Sequence, residues 1–221
     1  MRGNRGGFVL ALVLSTLVIA PMAAAKDHMF VGVNKCRSCH KKELIGDQYA
    51  KWQKGPHAKA FTTLKEEKAI KIAKEKGLPN PPSESPECLK CHVTAHDVPA
   101  ARIKYPMKAS DGVQCESCHG PGNDYRKKTT MSDEKKAIAA GLWTPGKDAK
   151  ICTDCHNDQS PSWNPKAFKL ANGTTVGFDY DQAKEKIAHK IPKDVKGHYL
   201  ELVKKKKASG GAAEEEEDDE E

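Results

Sequence analysis

The sequence predicts a single, mainly α-helical domain with few or no strands, wrapped around bound groups rather than around a large side-chain core. The chain has 221 residues but only five phenylalanines, five tyrosines and three tryptophans, while 30% of its residues are charged. So few large apolar side chains could hardly offset the conformational entropy lost on folding. Several segments place apolar residues at helical spacing. Eight cysteines in a chain with an export signal indicate that disulfides, metals or covalent groups complete the interior.

The chain divides into a signal peptide, a domain and a tail. Two arginines precede the thirteen-residue apolar run 8–20, and a proline and small residues follow it, which is typical of a secretory signal over residues 1–25. The run is too short to span a bilayer comfortably, so no stable membrane anchor should remain after cleavage. Residues 26–203 form the domain. Residues 204–221 contain a lysine run, a small-residue linker and an acidic end, and we expect them to be disordered.

Within the domain, the first long helical pattern covers 62–77, and Gly77 ends it. A second, 132–141, has Ser132 or Asp133 as its N-cap. The Asn172-Gly173 pair between apolar runs indicates a small hairpin or an irregular loop. The last amphipathic segment, 181–190, has Asp181 placed as its N-cap.

Every cysteine belongs to one of four motifs in which two cysteines three apart are followed at once by a histidine. This pattern is typical of c-type haem attachment, because two thioethers hold the porphyrin and the next residue offers an imidazole to the iron. Zinc needs only the paired cysteines, and a disulfide framework needs no histidine. The sequence therefore predicts four covalently attached haem c groups at Cys36, Cys39 and His40, at Cys88, Cys91 and His92, at Cys115, Cys118 and His119, and at Cys152, Cys155 and His156.

Five other histidines are candidates for the second axial position of each iron. Two strong nitrogen ligands suit an electron carrier, because six-coordinate iron reorganises little on reduction. His96 follows His92 by four residues and so must serve a different haem from the one that His92 binds. The candidates that we expect as ligands are His28, His57, His96 and His189, with His198 as an alternative to His28.

Several segments together resemble the tetrahaem cytochrome c family whose type member accepts electrons from hydroxylamine oxidoreductase in ammonia oxidisers. The resemblance runs from about residue 30 to residue 192 and rests on "FVG", "WQKGPHAKAF", "CLKCHVTAH" and "GVQCESCHGPG". It implies a mostly helical periplasmic fold with haems packed in stacked and perpendicular pairs. It also implies that His57 is a distal ligand, because its Pro-His-Ala context matches. The chain departs from the family at Tyr125, where members often carry a histidine, and one haem could therefore lack its expected partner.

These features predict a periplasmic or exported electron-transfer protein that relays electrons through four haems in anaerobic or nitrogen-linked respiration. The net charge of +7 favours acidic redox partners as donor or acceptor. Two alternatives remain: an enzyme that reduces a small nitrogen or oxygen species at one five-coordinate haem, and a subunit of a haem filament in which His28 completes a neighbour's iron. The carrier outweighs the enzyme, because no acid–base constellation accompanies the motifs. An oligomer is compatible with the sequence. Nucleic-acid binding is not expected, because the lysines are spread along the helices.

Overall fold

The computed structural model describes residues 27–147, 149–195 and 199–208. The predicted signal peptide, His198 and residues 209–221 of the predicted tail lie outside them. The described residues form short α-helices and one two-stranded hairpin, and the prediction of a mainly helical fold is confirmed. The helices are α1 (Val33–His40), α2 (Gln48–Lys54), α3 (Ala60–Thr63), α4 (Glu67–Glu75), α5 (Pro86–His92), α6 (Glu116–His119), α7 (Lys128–Met131), α8 (Glu134–Ala139), α9 (Lys150–Thr153), α10 (Tyr180–Ile187) and α11 (Tyr199–Ala208).

Short 3-10 helices link several of these elements. They lie at Glu43–Ile45, His57–Lys59, Ala100–Arg102, Ala109–Asp111 and Pro145–Lys147. No helix among the described residues has the length and apolar character needed to cross a bilayer.

Several helix boundaries follow the local signals, but the predicted pattern 62–77 is divided between α3 and α4, and the segment 181–190 is helical only as far as Ile187. Asp133 caps α8 by accepting hydrogen bonds from the N–H groups of residues 135 and 136. Gly77 lies just beyond α4 with φ of +65°, as expected of a glycine that ends a helix. The predicted cap Asp181 is wrong. Asp179 has the extended backbone of an N-cap and accepts from the N–H of Gln182, so Asp181 falls in the first turn of α10.

The hairpin predicted around Asn172-Gly173 is present. Strand β1 (Phe168–Lys169) pairs antiparallel with β2 (Thr175–Val176), with Phe168 opposite Val176. Gly173 adopts φ of +86° at the turn, a conformation that glycine reaches without strain. The strands are only two residues long, in agreement with the prediction of few strands.

Few apolar side chains of the described residues are buried, and three of them lie in the N-terminal segment. Phe30, Val31 and Val33 are all more than nine-tenths buried. The Phe30 N–H donates to the Arg102 carbonyl, and the Lys104 N–H donates to the Phe30 carbonyl, each at 2.8 Å. This parallel bridge holds the segment that leads into α1 against the middle of the chain.

The C-terminal lysine run departs from the prediction of disorder where the structure describes it. Residues 204–208 continue α11, which ends at Ala208. Lysine, leucine and alanine all have good helix propensity, so such a run can extend a helix without burying a face. The division into signal, domain and tail otherwise stays a prediction.

Candidate functional site

Each of the four motifs folds as a helical turn. Helices α1, α5 and α6 end on the motif histidines His40, His92 and His119, and the fourth motif begins in α9. The N–H of His156 donates to the carbonyl of Cys152 at 2.9 Å, which closes the same kind of turn there. Residues three and four apart share one face of a helix, so both sulfurs and the imidazole of each motif converge. We name these sites I (Cys36, Cys39, His40), II (Cys88, Cys91, His92), III (Cys115, Cys118, His119) and IV (Cys152, Cys155, His156).

All eight cysteines lie within the described residues, and none of them forms a disulfide there. Each is partly exposed, as expected of sulfurs that face a space between elements and not a packed interior.

The motif histidines are oriented by hydrogen bonds at Nδ1. The Nδ1–H of His92 donates to the Ala60 carbonyl at 2.6 Å, and that of His40 donates to Gln48 Oε1 at 3.2 Å. Gln48 is itself buried and donates from its amide to the Ile45 carbonyl. At site III, Nδ1 of His119 lies 3.4 Å from the Trp143 carbonyl. When the proton is on Nδ1, Nε2 keeps a free lone pair. This is the tautomer in which a histidine binds a metal through Nε2.

Burial favours the neutral form of four imidazoles at these sites. It is the main cause that lowers the pKa of His40, His57, His119 and His156, and the pKa of His119 falls to about 4. Neighbouring histidines add to the effect, since His189 acts on both His40 and His119. Only a neutral imidazole can bind iron, so these side chains are in the ligand form at neutral pH.

Two of the predicted distal histidines face motif histidines. The ring centres of His57 and His156 are 6.2 Å apart, and those of His119 and His189 are 6.0 Å apart. A metal–imidazole bond is about 2 Å long and the ring centre lies about 1 Å further on, so two imidazoles on opposite sides of one metal ion have centres about 6 Å apart. Both pairs therefore have the spacing of two axial ligands.

The backbone fixes the position of His57 independently of any bound group. The carbonyl of His57 accepts from the N–H of Val113 at 2.9 Å, and the carbonyl of Val113 accepts from Nε1–H of Trp52 at 2.8 Å. Gly112 packs so closely that a Cβ there would lie 2.6 Å from the His57 carbonyl oxygen. The loop before site III thus holds the histidine that faces site IV.

Contacts between the cysteines give the spatial order of the sites. The thiol of Cys36 lies within hydrogen-bonding reach of Cys115, and that of Cys91 lies within reach of Cys155. Burial and then the neighbouring Cys152 raise the pKa of the Cys118 thiol to about 11, so Cys118 and Cys152 lie close together. The sites therefore follow one another in space as I, III, IV and II, an order that differs from their order along the chain.

A cavity of about 260 Å³ lies against site II. Helix α4 and the loop 160–162 close it, and Leu64, Ile72 and Leu78 give it an apolar lining. Of the described residues that line it, His92 is the only histidine. This space is suited to an apolar planar group attached to Cys88 and Cys91.

Among the described residues, no ring contact places His28 or His96, the other predicted ligands, beside a motif histidine. Nδ1 of His28 lies 2.7 Å from Asp124 Oδ2, and its ring packs on Gly141, where a Cβ would lie 2.8 Å from Nε2. Nε2 of His96 lies 3.7 Å from the carboxylate of Asp97. Their roles as ligands stay predictions.

Tyr125, which stands where the resemblance would place a histidine, has a structural role. Its side chain is buried, and its hydroxyl donates to the Gly120 carbonyl at 2.7 Å. Burial raises the pKa of this phenol far above its ordinary value, so the hydroxyl stays protonated. A neutral phenol is a poor iron ligand.

Sequence reasoning missed the residues that pin site III to the N-terminal segment. Glu116 is 1% exposed. Its carboxylate accepts from the N–H groups of Val31, Gly32 and Gly122 at 2.9, 2.8 and 2.6 Å. The only sequence signal was the acidic residue between the two cysteines of site III, and site IV has one as well, at Asp154.

Comparisons with known proteins agree with this geometry. A family model described as "Cytochrome c554 and c-prime" matches residues 35–120, which contain sites I, II and III. Cytochrome c-554 of Nitrosomonas europaea is 36% identical over 159 residues, which cover 68% of this chain and 63% of that protein. Residues 35–120 of the chain thus match the cytochrome c554 family. The match spans less than two thirds of the relative's length. No solved structure matches the chain.

A cytochrome of this family binds c-type haem, and the residues present fit that cofactor. The paired sulfurs share a face with an imidazole at every site. Two sites also have a second imidazole at axial spacing, and a third has an apolar cavity beside its cysteines.

Proposed function

We propose that this protein is an exported, periplasmic electron carrier that relays electrons through four c-type haems. The observation that carries the proposal is the contact order I–III–IV–II, because it joins all four sites into one unbranched series. Bound c-type haem supplies the chemistry, a one-electron change between Fe(III) and Fe(II).

The chain's own residues hold and orient that chemistry. The cysteines would attach the cofactors, and His40, His92 and His119 would each offer Nε2 from the tautomer that their Nδ1 contacts favour. His57 and His189 would each offer a second imidazole at sites IV and III, and backbone contacts set the position of His57. Rigid double imidazole ligation keeps the coordination unchanged between oxidation states, which favours rapid transfer. His28 and His96 stay candidates for the other two sites.

The partners are acidic redox proteins. The net charge of +7 produces a positive potential that accelerates encounter with an anionic donor or acceptor. The rate of reduction by such a partner should therefore fall as ionic strength rises.

The decisive experiment combines intact mass with electron paramagnetic resonance of the oxidised mature protein. We expect a mass that includes four haems and low-spin signals from at least sites III and IV. Reversible reduction of all four irons completes the test. A colourless protein, or a spectrum that is entirely high-spin, would overturn the proposal.

The cavity at site II favours a second activity, the reduction of a small nitrogen or oxygen species. Since the described lining offers no histidine other than His92, an iron held there has room for an external ligand. Carbon monoxide added to the reduced protein should bind at one equivalent per chain. The His57→Leu variant, which opens site IV, is the positive control and should bind two. If the unaltered protein binds no carbon monoxide while the variant binds one, the second activity is excluded and the carrier function stands.

A further inference from the structure

Two buried hydrogen-bond donors lack a partner within the described part of the chain. They are Nε2 of Gln114 and Nε of Arg126. Buried donors are almost always paired, because an unpaired one loses its bonds to water without replacement. Such atoms indicate a group that the protein binds at this place.

Gln114 aims its free end in a defined direction. The residue is 2% exposed, and its Oε1 accepts from the N–H of Val33 at 2.7 Å. Its own backbone N–H donates to Thr94 Oγ1 at 2.6 Å. With the carbonyl end of the amide held by the first residue of α1, the NH₂ end has to point elsewhere. Gln114 directly precedes Cys115 of site III, and Val33 lies one turn before Cys36 of site I.

Arg126 lies at the same junction. Its backbone N–H donates to the Gly122 carbonyl at 2.9 Å, which fixes the residue beside the site III loop. The hydrogen bond with Cys115 and burial raise the pKa of the Cys36 thiol, and the Arg126 guanidinium opposes them, so the guanidinium lies near that sulfur. The buried carboxylate of Glu116 already accepts from three backbone N–H groups.

The chemistry required of the missing partner is that of a carboxylate. It offers acceptor oxygens only, and its bonds with guanidinium are charge-assisted and strong. Each haem carries two propionate carboxylates, and the sulfurs of sites I and III meet here. The ligand class that fits an amide donor and a guanidinium donor at this junction is therefore a haem propionate.

We propose that Gln114 and Arg126 bind a propionate where sites I and III meet, and that the charge of Arg126 raises the reduction potential there. The inference rests on the proposed function, because it needs haem at these two sites. A nearby cation disfavours Fe(III) more than Fe(II), since the oxidised iron carries one more positive charge. Arg126 is thus a positioning residue that also sets the potential at one end of the series.

The test is spectroelectrochemical titration of the four-haem protein with the Arg126→Gln variant. We expect one or two of the four midpoint potentials to fall by at least about 59 mV. For a one-electron couple, this shift is a tenfold change in the redox equilibrium constant. The control is Lys71→Gln, which removes the same charge from a side chain that is 78% exposed on α4. It should move no potential comparably. Unchanged potentials in Arg126→Gln, or equal shifts in both variants, would overturn the inference.

Two further variants separate the hydrogen bond from the charge. Arg126→Lys keeps the charge but lacks Nε, so it should alter the propionate vibration in resonance Raman spectra while keeping most of the potential. Gln114→Glu keeps the acceptor for Val33 but replaces the donor, and it should shift the same vibration. If neither variant moves that band, the donors do not bind a propionate. If Arg126→Gln fails to retain four haems, Arg126→Lys carries the test. A natural protein with fewer than four haems would instead contradict the proposed function.

Discussion

The imidazoles of His57 and His156 face each other with ring centres 6.2 Å apart and planes inclined by 65°. Each ring is held by its own surroundings. His57 begins a 3-10 helix whose backbone is bonded to Val113, and His156 stacks on Phe178 with ring centres 5.4 Å apart. Because separate contacts fix the two rings, the spacing suited to an iron is a property of the folded chain. Such preorganisation reduces the rearrangement needed when the oxidation state changes.

Replacing His57 with leucine should remove one axial nitrogen at site IV. We expect one low-spin signal of the oxidised protein to be replaced by a high-spin signal, because a single imidazole gives iron a weaker ligand field. Electron paramagnetic resonance with spin quantification measures the change, and the other low-spin signals should persist.

The matched control for this variant is Lys59→Leu, an exposed residue of the same 3-10 helix. It should leave the spectrum unaltered. If His57→Leu also keeps its full low-spin intensity, the ligand at site IV is a different residue.

The convergence of side chains within each motif could be predicted because its geometry is local. Two cysteines and a histidine within five residues determine which side chains can converge, and the structure folds each motif as the expected helical turn. The hairpin at Asn172-Gly173 and the Asp133 cap are local for the same reason.

The second histidine that lies opposite each motif histidine could not be predicted in this way. The pairing of His119 with His189 depends on how α10 and the segment after it pack on site III, and no local pattern encodes that packing. Even the start of α10 depends on tertiary contacts. Asp179 and Asp181 are both good N-caps, but Tyr180 donates its hydroxyl to the Pro145 carbonyl at 2.6 Å and so anchors the first turn one residue after Asp179.

Tyr125→Phe tests whether Tyr125, which stands where family members often carry a histidine, has a structural role. The variant loses the bond from the hydroxyl to the Gly120 carbonyl, so we expect the free energy of unfolding to fall by about 1 kcal/mol. The spin state of every iron should be unchanged, because the protonated phenol is no ligand. Thermal unfolding and paramagnetic resonance measure the two effects.

Tyr180→Phe is the control for stability, since it removes an equivalent bond to a carbonyl oxygen. A change of spin state in Tyr125→Phe alone would contradict the structural role.

Glu116→Gln should destabilise the fold more than an ordinary surface substitution. Both carboxylate oxygens accept backbone N–H groups, and a glutamine would turn its NH₂ towards one set of these donors. A buried donor that loses its acceptor costs about 1–3 kcal/mol, and we expect a loss of that size in the free energy of unfolding. The same substitution at exposed Glu84 should be nearly neutral. Equal stability of the two variants would show that Glu116 does not pin the N-terminal segment.

Gly112→Ala should loosen site IV without touching either of its histidines. A Cβ at Gly112 would lie 2.6 Å from the His57 carbonyl oxygen and 2.9 Å from that of Ala58, so the backbone that carries His57 must move away. Gly77 is the matched control, because its φ of +65° is nearly the same as the +66° of Gly112 while nothing lies within 4 Å of its Cβ position. Both variants should lose at least about 1 kcal/mol in the free energy of unfolding, because each places an alanine at positive φ. The cost is larger at Gly112, whose ψ of −139° lies outside the left-handed helical region. Only Gly112→Ala should lose more than this and convert part of the site IV low-spin signal to high-spin. Identical spectra and stabilities for the two alanine variants would mean that the close approach of Gly112 does not position His57.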